Sequence, residues 1–343
     1  MNAPLWLKFQ IHQFLWAFGY RTFRFPGAIY VYLTFRCNLQ CSYCDNGSGR
    51  KFPDLSAVEL SPAEWEKILQ GMIRYSDVLL LSGGEPLVYP HTLEVIRIAR
   101  RIGFKFISLN TNGLLLGDEI TEAVDALIVS LDSLDREKSD KMWNRQGATD
   151  HVIKTIERLS RRRNPSLMVN SVILPDNIED VEAVLNFCGR NGIAFSAGPA
   201  LEKTYAVKGL RRNAKYRDLM EKILAAKMAG QRIAATVDYL KAVAKFRPFK
   251  CHPLLVWRIK PDGELVFPCS RKNSGAGNLI QNADPVQLFQ MASGGNFFEV
   301  NCGENCPLSC YMDTSYMIQR PLGLLREGLY RLRTFSHGHR LIY

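Results

Sequence analysis

The 343-residue chain carries 44 Lys and Arg against 33 Asp and Glu, a formal net charge of +11, with 47% hydrophobic and 22% charged residues. That apolar content excludes a disordered chain, and an odd count of nine cysteines without a secretory signal excludes a secreted disulfide scaffold. The positive balance suits an anionic partner such as a membrane surface, a nucleic acid or an acidic substrate, and no specific nucleic acid is expected.

Residues 1–27 read as an amphipathic N-terminal helix. Leu7, Ile11, Phe14, Leu15 and Phe18 share one helical face, with Trp6 and Trp16 near it and Lys8, Arg21 and Arg24 as the charges. Lys8, Gln10, His12 and Gln13 break the run, so it does not read as a bilayer span. A helix resting on anionic lipid has this pattern, and so does one packed on the bottom of a barrel. A cytoplasmic protein is expected, peripheral on the inner face of the membrane if the helix meets lipid.

Strands then alternate with helices from residue 28 to 201. Strands are expected at 28–35, 78–82, 104–109, 126–131, 167–173 and 193–197, rich in Val, Ile, Leu or Phe as strands covered on both faces are. The clearest helix starts at Ser61-Pro62-Ala63-Glu64, a capping box with proline at the first helical position. Others fit 91–102, 148–161 and 177–191. Six βα units in series predict an α/β fold, a partial (β/α)6 TIM-like barrel with functional groups at the C-terminal strand ends.

Two motifs fall at such ends. Cys37, Cys41 and Cys44 stand in C-x3-C-x2-C spacing directly after the first strand, and Gly83-Gly84-Glu85-Pro86 ends the second. Three thiolates in a short loop suit a [4Fe–4S] cluster whose fourth iron stays open to a small molecule. Zinc is the alternative, although structural zinc usually takes paired C-x2-C or nearby His, and no His lies between His12 and His91. The cysteine spacing with Tyr43 before the last cysteine, followed by GGEP, resembles the signature of the radical S-adenosylmethionine (radical SAM) superfamily. Ile107–Gly113 and Ile128–Ser133 are similar to strand ends that line the SAM site there. The resemblance implies that Cys37, Cys41 and Cys44 hold the cluster. It further implies that Gly83, Gly84 and Glu85 orient the methionine end of SAM, that Asn110, Ser130 and Asn112 meet its ribose and carboxylate, and that backbone near Tyr43 meets its adenine.

Residues 202–249 read as a connection, basic at first through Lys203, Lys208, Arg211, Arg212, Lys215 and Arg217, then helical at 215–228 and 235–246. Residues 250–315 read as a small α+β domain with a second cysteine group, Cys251, Cys269, Cys302, Cys306 and Cys310. Pro261-Asp262-Gly263 makes a turn that folds Cys251 and Cys269 together, and Cys302-x3-Cys306-x3-Cys310 supplies the rest. Four thiolates suffice for a protein-ligated [4Fe–4S] cluster, which leaves one of the five spare; zinc is again the alternative. This half resembles the SPASM and twitch extensions that hold auxiliary clusters in many radical SAM enzymes. Ser270 follows Cys269 where anaerobic sulfatase-maturing enzymes carry a catalytic Asp, which argues against formylglycine formation. Residues 316–343 read as a basic amphipathic tail.

Taken with its resemblance, the sequence implies reductive cleavage of SAM to a 5′-deoxyadenosyl radical that takes hydrogen from substrate. A reductase such as flavodoxin or ferredoxin would supply the electron. Peptide or small-molecule oxidation is the expected class, with lipid or isoprenoid modification as the rival that the two basic termini favour. A non-enzymatic iron–sulfur or zinc scaffold leaves GGEP unexplained.

Overall fold

The computed structural model describes residues 26–44, 58–272, 274–295 and 306–334. The expected N-terminal helix, Cys302, and the end of the tail lie outside the described residues. Six strands come first: β1 (Ala28–Thr34), β2 (Val78–Gly83), β3 (Phe106–Thr111), β4 (Ala126–Ser130), β5 (Ser166–Ile173) and β6 (Ala194–Pro199). They pair in parallel in sequence order, and their bounds agree with expectation to within two residues. Between them run α1 (Pro62–Met72), α2 (Thr92–Ile102), α3 (Asp118–Ala123), α4 (Arg136–Trp143), α5 (Ala148–Ser160) and α6 (Ile178–Arg190). Ser61 caps α1 through the full capping box with Glu64. Helices α3 and α4 were not legible. The first has six residues, and the second buries only Ser139, Met142 and Trp143, too few to mark an apolar period.

The connection at 202–249 holds more structure than expected. A two-stranded ribbon, β7 (Leu201–Glu202) with β8 (Tyr205–Ala206), precedes α7 (Ala214–Met228) and α8 (Val237–Val243). The predicted hairpin forms as β9 (Val256–Ile259) and β10 (Glu264–Phe267), turning through Gly263 at φ +85°. The hairpin, in the region expected as a small α+β domain at 250–315, joins the first sheet. Strand β9 pairs in parallel with β1, Ile29 opposite Trp257, and β11 (Ser274–Asn278) extends the edge antiparallel to β10. One nine-stranded sheet results, running from β11 to β6. The Gly-rich β11 sequence, Ser-Gly-Ala-Gly-Asn, carries no strand propensity, and pairing with β10 supplies what the sequence lacks.

The sheet is curled. Laid flat, β1 and β6 would stand about 24 Å apart, five strand spacings. Yet Tyr32 of β1 and Ser196 of β6 line one cavity of about 300 Å³. Outer strand faces pack Ile29, Val31, Leu79, Leu81, Ile107 and Leu109 against the helices. After α9 (Pro285–Ala292), α10 (Ser309–Gln319) fills the concave side: every residue from Tyr311 to Ile318 is buried, and Tyr311 and Ile318 pack with Ala28, Tyr30, Val78 and Leu80. This helix runs unbroken across the expected boundary at 315, because its neighbours are the inner strand faces.

The last helix, α11 (Pro321–Thr334), carries a buried ion pair. Lys227 and Glu327 are 0% and 2% exposed and meet at 2.9 Å, and Lys227 lies 3.6 Å from the centre of the Tyr330 ring. Burial pulls the Lys227 ammonium down to about 8 in spite of Glu327. Leu322, Leu325 and Leu329 are exposed. Among the described residues, no helix is long and apolar enough to cross a membrane.

Candidate active site

The cysteine loop leaves the end of β1 and rests on a helix that the sequence did not disclose. The last carbonyls of a helix lack partners within it. At the end of α4 they are taken by the loop: Gln40 N–H donates to the Trp143 carbonyl at 3.2 Å and Ser42 N–H to that of Met142 at 2.9 Å. Arg145 donates to the Asn38 carbonyl at 3.0 Å. The Tyr43 hydroxyl donates to Asp132, whose carboxylate is wholly buried and also accepts from Trp143 Nε1 at 3.1 Å and Val172 N–H at 2.7 Å. Burial raises the Asp132 carboxyl while these bonds lower it, with a net rise. Asp132 was missed in the sequence, where only its place one residue past a strand end set it apart.

GGEP wedges against the same loop. Gly84 N–H donates to the Thr34 carbonyl at 2.8 Å and Glu85 N–H to that of Arg36 at 2.9 Å. A Cβ on Gly84 would sit 2.2 Å from the Arg36 oxygen, so only glycine permits this approach. Gly83 adopts φ +138° against Thr34. The Glu85 side chain, expected at the methionine end of SAM, is turned into the protein, 1% exposed. It accepts from Thr111 Oγ1 at 2.8 Å, Asn112 N–H at 2.7 Å and Leu87 N–H at 3.1 Å. Burial pushes its carboxyl up to about 7 against the pull of those bonds. Asn112 in turn donates to Asn38 Oδ1 at 2.7 Å. Glu85 and Asn112 thus tie the ends of β2 and β3 to the cysteine loop.

Asn110 and Ser130 line the cavity, and they belong to a larger set. Tyr32, Ser82, Asn110, Ser130, Asn170 and Ser196 come one from each of the six parallel strands and all line it. Register explains this: Tyr32 pairs with Ser82, Ser130 with Asn170, and Asn170 with Ser196. Side chains on paired residues share a face, and Asn110 pairs with Ile128, two residues before Ser130 and so on the same face; the six thus form a polar layer, stepped by two residues between β3 and β4, near the C-terminal strand ends. Only Asn110 and Ser130 of the six stand out in the sequence, because strand register is not written in any one strand. Asn110 Oδ1 is buried without a hydrogen-bond partner.

The second cysteine group meets the cavity at Cys310. Cys251, Cys269 and Cys306 are buried, while Cys310 is half-buried and lines the cavity. Cys251 and Cys269 share one apolar cluster, with Cys310 packed against it. Arg258 and Arg271, neither singled out in the sequence, line the cavity beside them, as does Asp313. Burial pushes the Asp313 carboxyl up to about 6, opposed by its bonds to Thr236.

The donors fit iron–sulfur chemistry. Cys37, Cys41 and Cys44 are half-buried at a strand end, and burial pushes Cys37 up to about 11 and Cys41 higher. Metal binding would displace those protons. Among the described residues, no three His, Cys, Asp or Glu side chains converge within reach of a single ion. A cubane gives each thiolate its own iron and needs no such convergence. The unpartnered Asn110 oxygen, buried at a polar cavity, fits a cofactor with hydrogen-bond donors.

A family model described as the Radical SAM superfamily matches residues 31–188. Over those residues the chain is similar to radical SAM domains. The sporulation killing factor maturation protein SkfB of Bacillus subtilis (strain 168) is 27% identical over 282 residues, 78% of this chain and 67% of that protein. Streptococcus suis SuiB bound to S-adenosylmethionine shares the fold at TM-score 0.58 and 18% identity, covering 77% of this chain and 65% of SuiB. The structure of anSMEcpe with bound AdoMet matches at TM-score 0.61 and 16% identity, covering 89% of this chain and 97% of that one. The chain thus spans about two thirds of the length of SkfB and SuiB. Radical SAM domains use a [4Fe–4S] cluster and SAM, which agrees with the donors at the end of β1.

Proposed function

We propose that the chain is a radical SAM maturase that modifies a peptide by hydrogen abstraction. In this reading Cys37, Cys41 and Cys44 hold the SAM-binding [4Fe–4S] cluster, while Cys251, Cys269, Cys306 and Cys310, with Cys302 as the fifth candidate, hold an auxiliary one. When bound, the first cluster and SAM supply a 5′-deoxyadenosyl radical, with a flavodoxin- or ferredoxin-like reductase giving the electron. The chain's own residues do the rest. Asn110 and Ser130, in the polar layer, hold the ribose and carboxylate of SAM. Glu85 and Asn112 fix the loop that carries the thiols. Helix α10 and the inner strand faces wall the cavity, and a substrate seated between them would shield a reactive species from bulk water.

The observation that carries this reading is that one cavity meets both the polar layer of six strand ends and Cys310 of the second group. A substrate there would lie between two redox centres. Peptide is the favoured class because SkfB is named for maturation of a killing factor and one SuiB structure holds the precursor peptide SuiA.

Short peptides encoded beside the gene, synthesised with deuterium at their Cα and Cβ positions, test this. One of them is expected to pass deuterium into 5′-deoxyadenosine and to change mass when incubated with reduced protein and SAM. If none did, while an isoprenoid or phospholipid fraction was altered, the peptide reading would fail.

A further inference from the structure

Arg258 lies on β9, 5% exposed, at the wall between the polar layer and the second cysteine group. Its guanidinium sits 4.7 Å from the ring centre of Tyr30 and 4.8 Å from that of Tyr311. Nη1 donates to the Tyr32 hydroxyl at 2.8 Å and more weakly to Ser270 Oγ at 3.4 Å. Nη2 donates to Cys310 Sγ at 2.8 Å, and Nε is buried without a hydrogen-bond partner. Among the described residues, no carboxylate lies within ion-pair distance of it.

Such a cation needs a counter-charge. A guanidinium stays protonated in proteins, and burying it unpaired is strongly unfavourable. The aromatic faces of Tyr30 and Tyr311 offset part of that cost. What remains is the thiolate side. Four thiolates around a cubane core carry a formal double negative charge, which becomes triple on one-electron reduction. Reduction therefore adds negative charge within a hydrogen bond of a fixed, buried cation, where the low dielectric strengthens the attraction. The effect has one sign: the reduced form gains more than the oxidised form.

We propose that Arg258 sets the reduction potential of the auxiliary cluster, raising it so that the cluster can accept an electron from the cavity. This rests on the auxiliary-cluster reading above, with Cys310 as one ligand. The step balances as one electron and one proton: the cluster gains the electron, a carbon-centred substrate radical in the cavity loses it, and the adjacent C–H gives its proton to water as a double bond closes, with no proton exchanged at Arg258. Through Tyr32 the guanidinium also touches the polar layer, which places the tuning charge between donor and acceptor. Arg258 is a positioning residue here, since it acts through the cluster.

The full-length protein with Cys37, Cys41 and Cys44 changed to Ala isolates the auxiliary cluster for redox titration followed by electron paramagnetic resonance. In that background Arg258→Gln is expected to keep its iron yet shift the one-electron equilibrium at least tenfold toward the oxidised form, a fall in midpoint of about 59 mV or more. Arg258→Lys keeps the charge but loses the planar fork, so its midpoint should fall less. Tyr32→Phe, which removes one bond and no charge, should move it least. An unchanged midpoint in an iron-replete Arg258→Gln protein would overturn the proposal. Should that variant lose its cluster, Arg258→Met, which also removes the charge but keeps an apolar stem of similar length, decides, and a midpoint equal to that of the parent is the contrary result. If the parent background itself bound no iron, the auxiliary-cluster reading would fail instead.

Discussion

Changing Cys37, Cys41 and Cys44 together to Ala is expected to remove half of the bound iron, about four of roughly eight atoms per chain, and to abolish SAM cleavage without unfolding the protein. The loop does not depend on its thiols for its path. Its backbone is held by the Trp143 and Met142 carbonyls, its Asn38 by Asn112 and its Tyr43 by Asp132. The three sulfurs are half-buried and add little to the core. Iron and acid-labile sulfide per chain, together with the thermal midpoint, provide the check. Undiminished iron in the triple variant would show that other residues hold the cluster.

Gly84→Ala should do what the cysteine changes do not, and damage the fold locally. Its Cβ would stand 2.2 Å from the Arg36 oxygen and 2.7 Å from that of Phe35, both backbone atoms at the root of the cysteine loop. Neither can swing aside as a side-chain tip could. The strand ends must part, breaking the bonds of Gly84 N–H to Thr34 and of Glu85 N–H to Arg36. Glu85 would then lose its alignment with Thr111 and Asn112, deep in the protein. A loss of about 3 kcal/mol or more in unfolding free energy is expected, at the upper end for single changes. Denaturant titration measures it, with iron retention as a second readout. A stable, iron-replete Gly84→Ala protein would mean that GGEP does not brace the loop.

Much of this was legible because two periodicities write themselves into sequence. The six buried strands announced themselves as apolar runs, and both cysteine groups by spacing. What stayed hidden was whatever depends on register or on distant partners. Ser82, Asn170 and Ser196 are ordinary residues until strand pairing sets them beside Asn110 and Ser130. Asp132 and Arg258 gain meaning only from partners far along the chain: Tyr43 for the first, Tyr32 and Cys310 for the second. Glu85 was found, but its motif alone did not say that the carboxylate faces inward onto Thr111 and Asn112. The hairpin carrying Cys269 was foreseen, yet its union with β1 into one sheet was not, since nothing local to 256–267 specifies a parallel neighbour more than two hundred residues earlier.

The central claim is that the thiols at the end of β1 and the polar layer beside them make a site for reductive SAM chemistry. Protein reconstituted with iron and sulfide without oxygen, then reduced with dithionite and given SAM, should release 5′-deoxyadenosine even in the absence of substrate. Chromatography with mass detection reads the product directly. Steady formation of 5′-deoxyadenosine, lost in the Cys37, Cys41, Cys44 triple variant, is the predicted result; intact SAM over fully loaded, reduced protein would contradict it.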